Sequence, residues 1–163
     1  MITGGEPTLH PELINLVEDL LYRYYAVRIY TNGSRPEVIK DLVEMGRVSI
    51  VVDIKGPLTS DDYMRCAGVP DVEPVKETIG ILLDSDIDYE FSTVVCRNLH
   101  SLDDIIKIAS AIHGAPVYTL VRFKSSSHIF DEACSWQPYP DEVMYDLAKD
   151  IEARGYVKRC TVR

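Results

Sequence analysis

Apolar and polar positions switch period along this chain, from short runs of β-branched residues to longer amphipathic stretches and back. That switching is the mark of strands alternating with helices. A short strand over residues 1–3 comes first. Leu13, Leu16, Val17, Leu20, Leu21 and Tyr24 then define one helical face, with Pro11 suited to the first turn. Residues 27–30 read as the next strand. Ser34 and Glu37 have capping-box spacing and open a helix carrying Val38, Ile39, Leu42 and Val43, which Gly46 ends.

Residues 48–54 form a further strand, and a loop with Gly56, Pro57 and Gly68 leads to a helix carrying Val75, Ile79 and Leu82. Residues 89–95 are rich in strand-favouring types. Ser101 and Asp104 repeat the capping spacing before Leu102, Ile105, Ile108, Ala109 and Ile112, with Gly114 as terminator. Residues 117–123 return to strand character, and 141–154 form the last helix. Near-continuous apolar strands such as 48–52, separated by amphipathic helices, predict an α/β fold with a parallel sheet covered on at least one face. Repeats of about 30 residues suit a (β/α) barrel and a doubly wound sheet equally, and either places its site at the C-terminal ends of the strands.

Composition narrows the class. With 163 residues, 46% of them hydrophobic, the chain can bury a real core as a single domain over residues 1–163. A formal charge of −9 without a Lys/Arg cluster argues against nucleic-acid binding. No segment has the roughly 20 apolar residues of a membrane span, and no export signal follows Met1, so the expectation is a cytoplasmic protein without membrane association. Cys66, Cys96, Cys134 and Cys160 are spread along the chain. Their spacing suits neither a disulfide framework nor a zinc knuckle.

The predicted strand tips concentrate the polar chemistry. Gly4-Gly5-Glu6-Pro7 joins strand to helix; two glycines permit positive φ and close ligand approach, though a tight turn with a solvated glutamate reads as well. Asn32-Gly33 is a turn pair. Asp53 and Lys55 lie two apart on a strand and share a side, so they form either an ion pair or a receptor for the ammonium and carboxylate of an amino acid. Arg122 ends an apolar strand and needs an anionic partner or water. His100, His113 and His128 lack ligand spacing and read as surface or helix-end residues, while Trp136 and Tyr139 order a late loop.

The ordered set Thr3-Gly4-Gly5-Glu6-Pro7-Thr8-Leu9, Thr31-Asn32-Gly33-Ser34, Asp53-Ile54-Lys55, Phe91-Ser92-Thr93-Val94-Val95 and residues 118–123 resembles the radical S-adenosylmethionine (SAM) activating proteins of anaerobic ribonucleoside-triphosphate reductase. The resemblance covers the whole chain and implies an incomplete (β/α) barrel. It implies that Gly4, Gly5 and Glu6 receive the methionyl ammonium of SAM, with Thr31, Asn32, Asp53 and Lys55 around its methionyl and ribose portions. Pro7 belongs to the same loop, and Ser92, Thr93, Val95 and Arg122 complete the wall. The implied cofactors are SAM and a four-iron four-sulfur (4Fe-4S) cluster. Together they yield a 5′-deoxyadenosyl radical that takes a hydrogen atom from a glycine of a partner glycyl radical enzyme. The electron donor is of the flavodoxin or ferredoxin kind.

Two positions depart from that pattern. Tyr30 stands where similar proteins carry an aspartate of a monovalent-cation site, and Ser92 stands where they carry an arginine, so carboxylate binding falls to Lys55 or Arg122. The family's Cys-x3-Cys-x2-Cys loop, with its first βα unit, is expected before Met1; the four cysteines present do not match it. This chain is therefore expected to be the C-terminal part of such a barrel, with no metal ligands of its own and inactive alone. Two further readings stay open, a cluster-less SAM- or partner-binding module and a radical SAM enzyme with another substrate.

Overall fold

A computed structural model of the chain describes residues 1–124 and 136–163. Five strands, β1 (Val27–Thr31), β2 (Val48–Asp53), β3 (Asp88–Val95), β4 (Tyr118–Arg122) and β5 (Cys160–Val162), pair in parallel in the order β1-β2-β3-β4-β5. Sequence order and spatial order coincide, with no reversal of the winding direction. A doubly wound sheet reverses its order at a switch point, so the arrangement is that of an incomplete barrel. Residues 1–3 add one parallel bridge, Ile2 to Ile29, rather than a full strand.

The helices are α1 (Leu13–Tyr22), α2 (Pro36–Met45), α3 (Ser60–Ala67), α4 (Glu73–Leu83), α5 (Leu102–Ala111) and α6 (Asp141–Ala153). Their buried residues, such as Val17, Ile39, Leu42, Ile79, Ile105 and Ile151, join one strand face in a single core. Val52, Phe91 and Tyr118 stand in one row of the register on that face and are fully buried. Each such side chain contributes about 1.5–3 kcal/mol on leaving water.

Several helix details differ from the sequence reading. α1 buries Leu13, Val17 and Leu21, whereas Leu16 and Tyr24 are exposed. Tyr24 has a φ of 63° and follows the helix, because the chain must reverse there into β1. Pro11 precedes the helix in a turn. The Ser34–Glu37 capping box does not form. Pro36 occupies the first helical position, which leaves Arg35 as the cap, and the Ser34 amide donates to Asn32 Oδ1 at 2.9 Å. The capping box of Ser101 and Asp104 does form.

Two elements lie where no element was expected. α3 occupies the loop between β2 and α4, capped by Thr59 at its start and by Gly68 in the left-handed region at its end. Only Tyr63 of this helix is buried, so it has no apolar stripe to read. β5 is three residues long and follows Gly155 after α6.

The opposite sheet face is polar. Arg28 donates to Glu90 Oε2 and, at 3.2 Å, to Ser49, while Arg163 donates to Glu90 Oε1 at 2.9 Å. Thr119 and Thr161 share a hydrogen bond of 2.9 Å on the same face. Val51 is fully buried in this face, outside the main core. The Glu90 carboxylate thus ties β1 and the end of β5 to the middle of the sheet. Replacing it with alanine strands two guanidiniums, and Glu90→Ala is expected to lower unfolding free energy in urea by about 1–2 kcal/mol. Asp150→Ala, on an exposed helix pair, serves as a control with a shift of at most about 0.5 kcal/mol. Equal losses in the two variants would dismiss the tie.

Candidate functional site

The chemistry gathers at the C-terminal ends of β1 and β2, beside the loop that precedes α1. Gly4 and Gly5 adopt φ values of 95° and 49°, and neither peptide has a hydrogen-bond partner among the described residues. The loop then turns through a short 3₁₀ segment, Pro7–Leu9, that Pro7 begins. Glu6 fastens it to the sheet. Its Oε1 accepts from the Thr8 amide at 3.1 Å, the Thr8 hydroxyl at 2.6 Å and the Thr31 hydroxyl at 2.7 Å, while Oε2 accepts from the Asn32 amide at 2.7 Å.

That commitment assigns Glu6 a holding role. The exposed backbone of the two glycines remains to meet a ligand. Gly33 completes the β1 tip with a φ of 73°; an added Cβ would lie 3.0 Å from Val52 Cγ1 and 3.3 Å from Thr78 Cγ2. Thr78 also donates to the Gly33 carbonyl at 2.9 Å, so the turn is held against α4.

Asp53 and Lys55 form an ion pair through Asp53 Oδ2. Asp53 Oδ1 is buried and has no hydrogen-bond partner. A buried carboxylate oxygen without a donor is costly, so this atom marks a place for one. A cavity of about 300 Å³ opens here, lined by Gly5, Glu6, Tyr30, Thr31, Asn32, Asp53 and Lys55. Ser92 stands in register with Asp53 on the same sheet face. A second cavity of about 760 Å³ shares Asn32 and Lys55 and adds Val94, Phe123 and Trp136. Gly4 and Pro7 line a neighbouring groove beside Leu13 and Leu16 instead.

Three residues expected in the ligand wall turn away from it. The Thr93 hydroxyl donates to the Ile54 carbonyl at 2.8 Å and accepts from the Tyr118 hydroxyl at 2.8 Å, within the buried helix-side layer. Burial raises the Tyr118 phenol far above its ordinary range, so it stays a neutral donor. Val95, two residues on, is in the main core. Arg122 pairs with Asp141 at 2.6 Å and with the Tyr145 hydroxyl at 3.1 Å on α6. Side chains alternate along a strand, so Val94 lines the larger cavity while Thr93 and Val95 lie on the helix side of the sheet. With Arg122 engaged on α6, Lys55 is the cation left at the site.

Two side chains of the site were not anticipated. Tyr63, brought by α3, is buried beside the Lys55 backbone, and burial is the main reason its phenol is pushed up to about 12. His100 stands at a helix end, one of the two places expected for it, but it is buried and meets the Lys55 carbonyl at 2.8 Å. Its place one residue before the Ser101 cap was the available signal. His113 is exposed against Tyr156. Tyr139 donates to the His100 carbonyl at 2.9 Å, and the Trp136 and Phe123 ring centroids lie 6.1 Å apart.

Among the described residues no group of His, Cys, Asp or Glu is placed to hold a metal ion. Burial raises the Cys66 thiol, and it pushes the Cys160 thiol up to about 12, both away from the thiolate form a metal needs. His128 and Cys134 lie outside the described residues. No described helix is long and apolar enough to cross a membrane.

The sequentially wound parallel sheet agrees with comparison to known proteins. The radical SAM superfamily matches residues 1–112, and the chain belongs to that superfamily of enzymes. A Methanocaldococcus jannaschii protein, whose name assigns it to glycyl-radical enzyme activation, is 26% identical over 171 residues; the alignment takes in 100% of this chain and 69% of that protein. Mycofactocin maturase MftC of Mycobacterium tuberculosis is 28% identical over 145 residues, with this chain spanning 36% of its length. A domain of pyruvate-formate lyase-activating enzyme from Bacteroides vulgatus shares the fold at a TM-score of 0.77 and 18% identity, covering 99% of this chain and 96% of that one. Streptococcus suis SuiB, bound to its precursor peptide SuiA, also reaches 0.77 at 13% identity, covering 98% of this chain and 37% of SuiB.

The separation of the strand tips into two faces has a direct test. Thr93→Val keeps the shape but strands the Ile54 carbonyl and the Tyr118 hydroxyl. It is expected to cost about 1–2 kcal/mol of stability in thermal or urea unfolding while leaving ligand affinity unchanged. A loss of affinity at intact stability would return Thr93 to the ligand wall.

Proposed function

We propose that this chain forms the SAM-binding part of a glycyl radical enzyme activase. The buried Asp53 Oδ1, lacking a partner beside the Gly4–Gly5 loop, carries the reading. An amino-acid ligand brings an ammonium and a carboxylate into a site already holding the opposite pair. The ammonium gains Asp53 and the loop carbonyls, and the carboxylate gains Lys55, so the Asp53–Lys55 ion pair is exchanged for two ligand contacts. Thr31, Asn32 and Ser92 border the methionyl portion. The larger cavity, with Val94, Phe123 and Trp136, suits the apolar and stacking surface of a nucleoside.

SAM and a reduced 4Fe-4S cluster together supply radical chemistry when bound. The described residues fit SAM and do not fit the cluster, since none of their cysteines converge. The chain's own residues hold the ligand's amino-acid end and exclude water around it. The proposed partner is a glycyl radical enzyme, with anaerobic ribonucleoside-triphosphate reductase as the first to test and a flavodoxin or ferredoxin as electron donor. A peptide-maturing enzyme is the second reading, favoured by the similarity to mycofactocin maturase. A glycyl radical seen by electron paramagnetic resonance in the reductase, against a mass change in a peptide, separates the two.

Calorimetric titration with SAM tests the site itself. Asp53→Asn removes the charge without changing size and is expected to weaken binding about tenfold or more, the worth of a charge-assisted contact. Glu18→Gln, on an exposed helix position, is expected to bind like the parent. Equal affinities for all three remove Asp53 from the site. In a separate measurement, the 163-residue chain is expected to hold no stoichiometric four-iron cluster after anaerobic reconstitution. Four irons and four sulfides per chain would overturn that and bring Cys66, Cys96 or Cys134 into play.

A further inference from the structure

Beyond the ligand-facing groups, the backbone just after β2 is held by a buried histidine. His100 is 2% exposed, with Nε2 2.8 Å from the Lys55 carbonyl and Nδ1 3.4 Å from the Cys96 amide. A carbonyl can only accept and an amide N–H can only donate. The imidazole is therefore neutral, with its proton on Nε2. Tyr63, also buried, lies beside the same Lys55 backbone. The Lys55 side chain leaves this clamped backbone to reach Asp53.

We propose that His100 is a positioning residue of the SAM site: its neutral ring fixes the Lys55 backbone so that the Asp53–Lys55 pair faces the ligand, and proton uptake by the ring releases that hold. The proposal rests on the SAM-binding reading and adds a pH response to it. A protonated ring carries donors on both nitrogens, and Nδ1–H would then confront the Cys96 amide. The same two residues are joined by a turn in which the His100 amide donates to the Cys96 carbonyl at 2.8 Å, which holds the ring against that amide.

The surrounding charges do not supply the missing acceptor. Asp53 and Lys55 lie at the β2 end, Arg65 and Cys66 on α3, and Asp104 on α5. Arg97 sits over the Tyr139 ring, in the segment before α6. The Lys55 carbonyl, Asp104 and Asp53 favour a charged ring and Arg65 opposes it, so burial and the Cys96 amide facing Nδ1 are what a second ring proton must overcome. Asp104 is already engaged by Arg65 at 3.1 Å and by the Ser101 amide at 3.0 Å. Burial is the largest influence, and it holds the ring's proton affinity below the ordinary 6.5. The neutral ring thus prevails at neutral pH, and the hold is lost as pH falls through the lowered value, at most tenfold in affinity per pH unit.

The test measures SAM affinity of the 163-residue chain by calorimetry between pH 7.5 and 5.5, together with amide resonances of Ile54 and Lys55 by nuclear magnetic resonance. His100→Gln keeps a neutral donor near the Lys55 carbonyl but cannot titrate; His100→Leu removes the donor. At pH 7.5 the Gln variant is expected to bind within about threefold of the parent and the Leu variant about tenfold more weakly. On acidification the parent should lose affinity more steeply than the Gln variant, and its Ile54 and Lys55 amides should follow the His100 ring, staying flat with Gln.

Superimposable pH profiles for parent and Gln variant, or amides that ignore the ring, would overturn the proposal. If the Leu variant does not fold, the Gln comparison decides alone. If no protein binds SAM at any pH, the SAM reading itself fails, and the amide titration still decides whether His100 holds Lys55.

Discussion

A parallel sheet covered by helices on one face leaves its charged groups two places, the uncovered face and the strand tips, and admits a hydroxyl to the covered layer only when it is paired, as Thr93 and Tyr118 are. Every functional feature of this chain follows from that constraint. The helix-side rows bury Ile29, Ile50, Phe91 and Leu120, while Arg28, Ser49, Asp53 and Glu90 occupy the other face. Within it, polar groups away from the tips satisfy one another, as Arg28, Glu90 and Arg163 do. The tips keep an unmet oxygen at Asp53. Stability and binding capacity therefore reside in different parts of the same surface.

The loop before α1 shows how the binding part is kept rigid. Two glycines in positive-φ conformations would be an entropic liability on a free loop. Glu6 removes that freedom by engaging donors from its own turn and from the end of β1. Its side chain is consumed in doing so. The motif's glutamate holds the backbone of its own loop and of the β1 end, a division of labour that residue order alone does not reveal.

Much of this was legible from residue order. Strand–helix alternation, the Ser101 cap and the grouping of Gly5, Glu6, Thr31, Asn32, Asp53 and Lys55 around one cavity all agree with the pattern reading. The direction of side chains was legible but unused: alternation along β3 separates Ser92 from Thr93 without any coordinates. Other features depend on three-dimensional partners. Arg122 could be assigned to α6 only once Asp141 and Tyr145 were seen beside it. α3 escaped because one buried tyrosine makes no period, and with it Tyr63 escaped too. The failed cap at Ser34 was a conflict between two local signals, which Pro36 decides.

The tie at Glu90 also bears on the order in which the chain assembles. Each strand pairs with the one before it, so the sheet can grow by local steps with short loops to close. The contact between Glu90 and Arg163 spans 73 residues and must wait for β5. Until then Glu90 holds only Arg28. The uncovered face is consequently the last surface to acquire its native form, and a nascent chain halted before β5 would present that face to water and to chaperones with its carboxylate only half engaged.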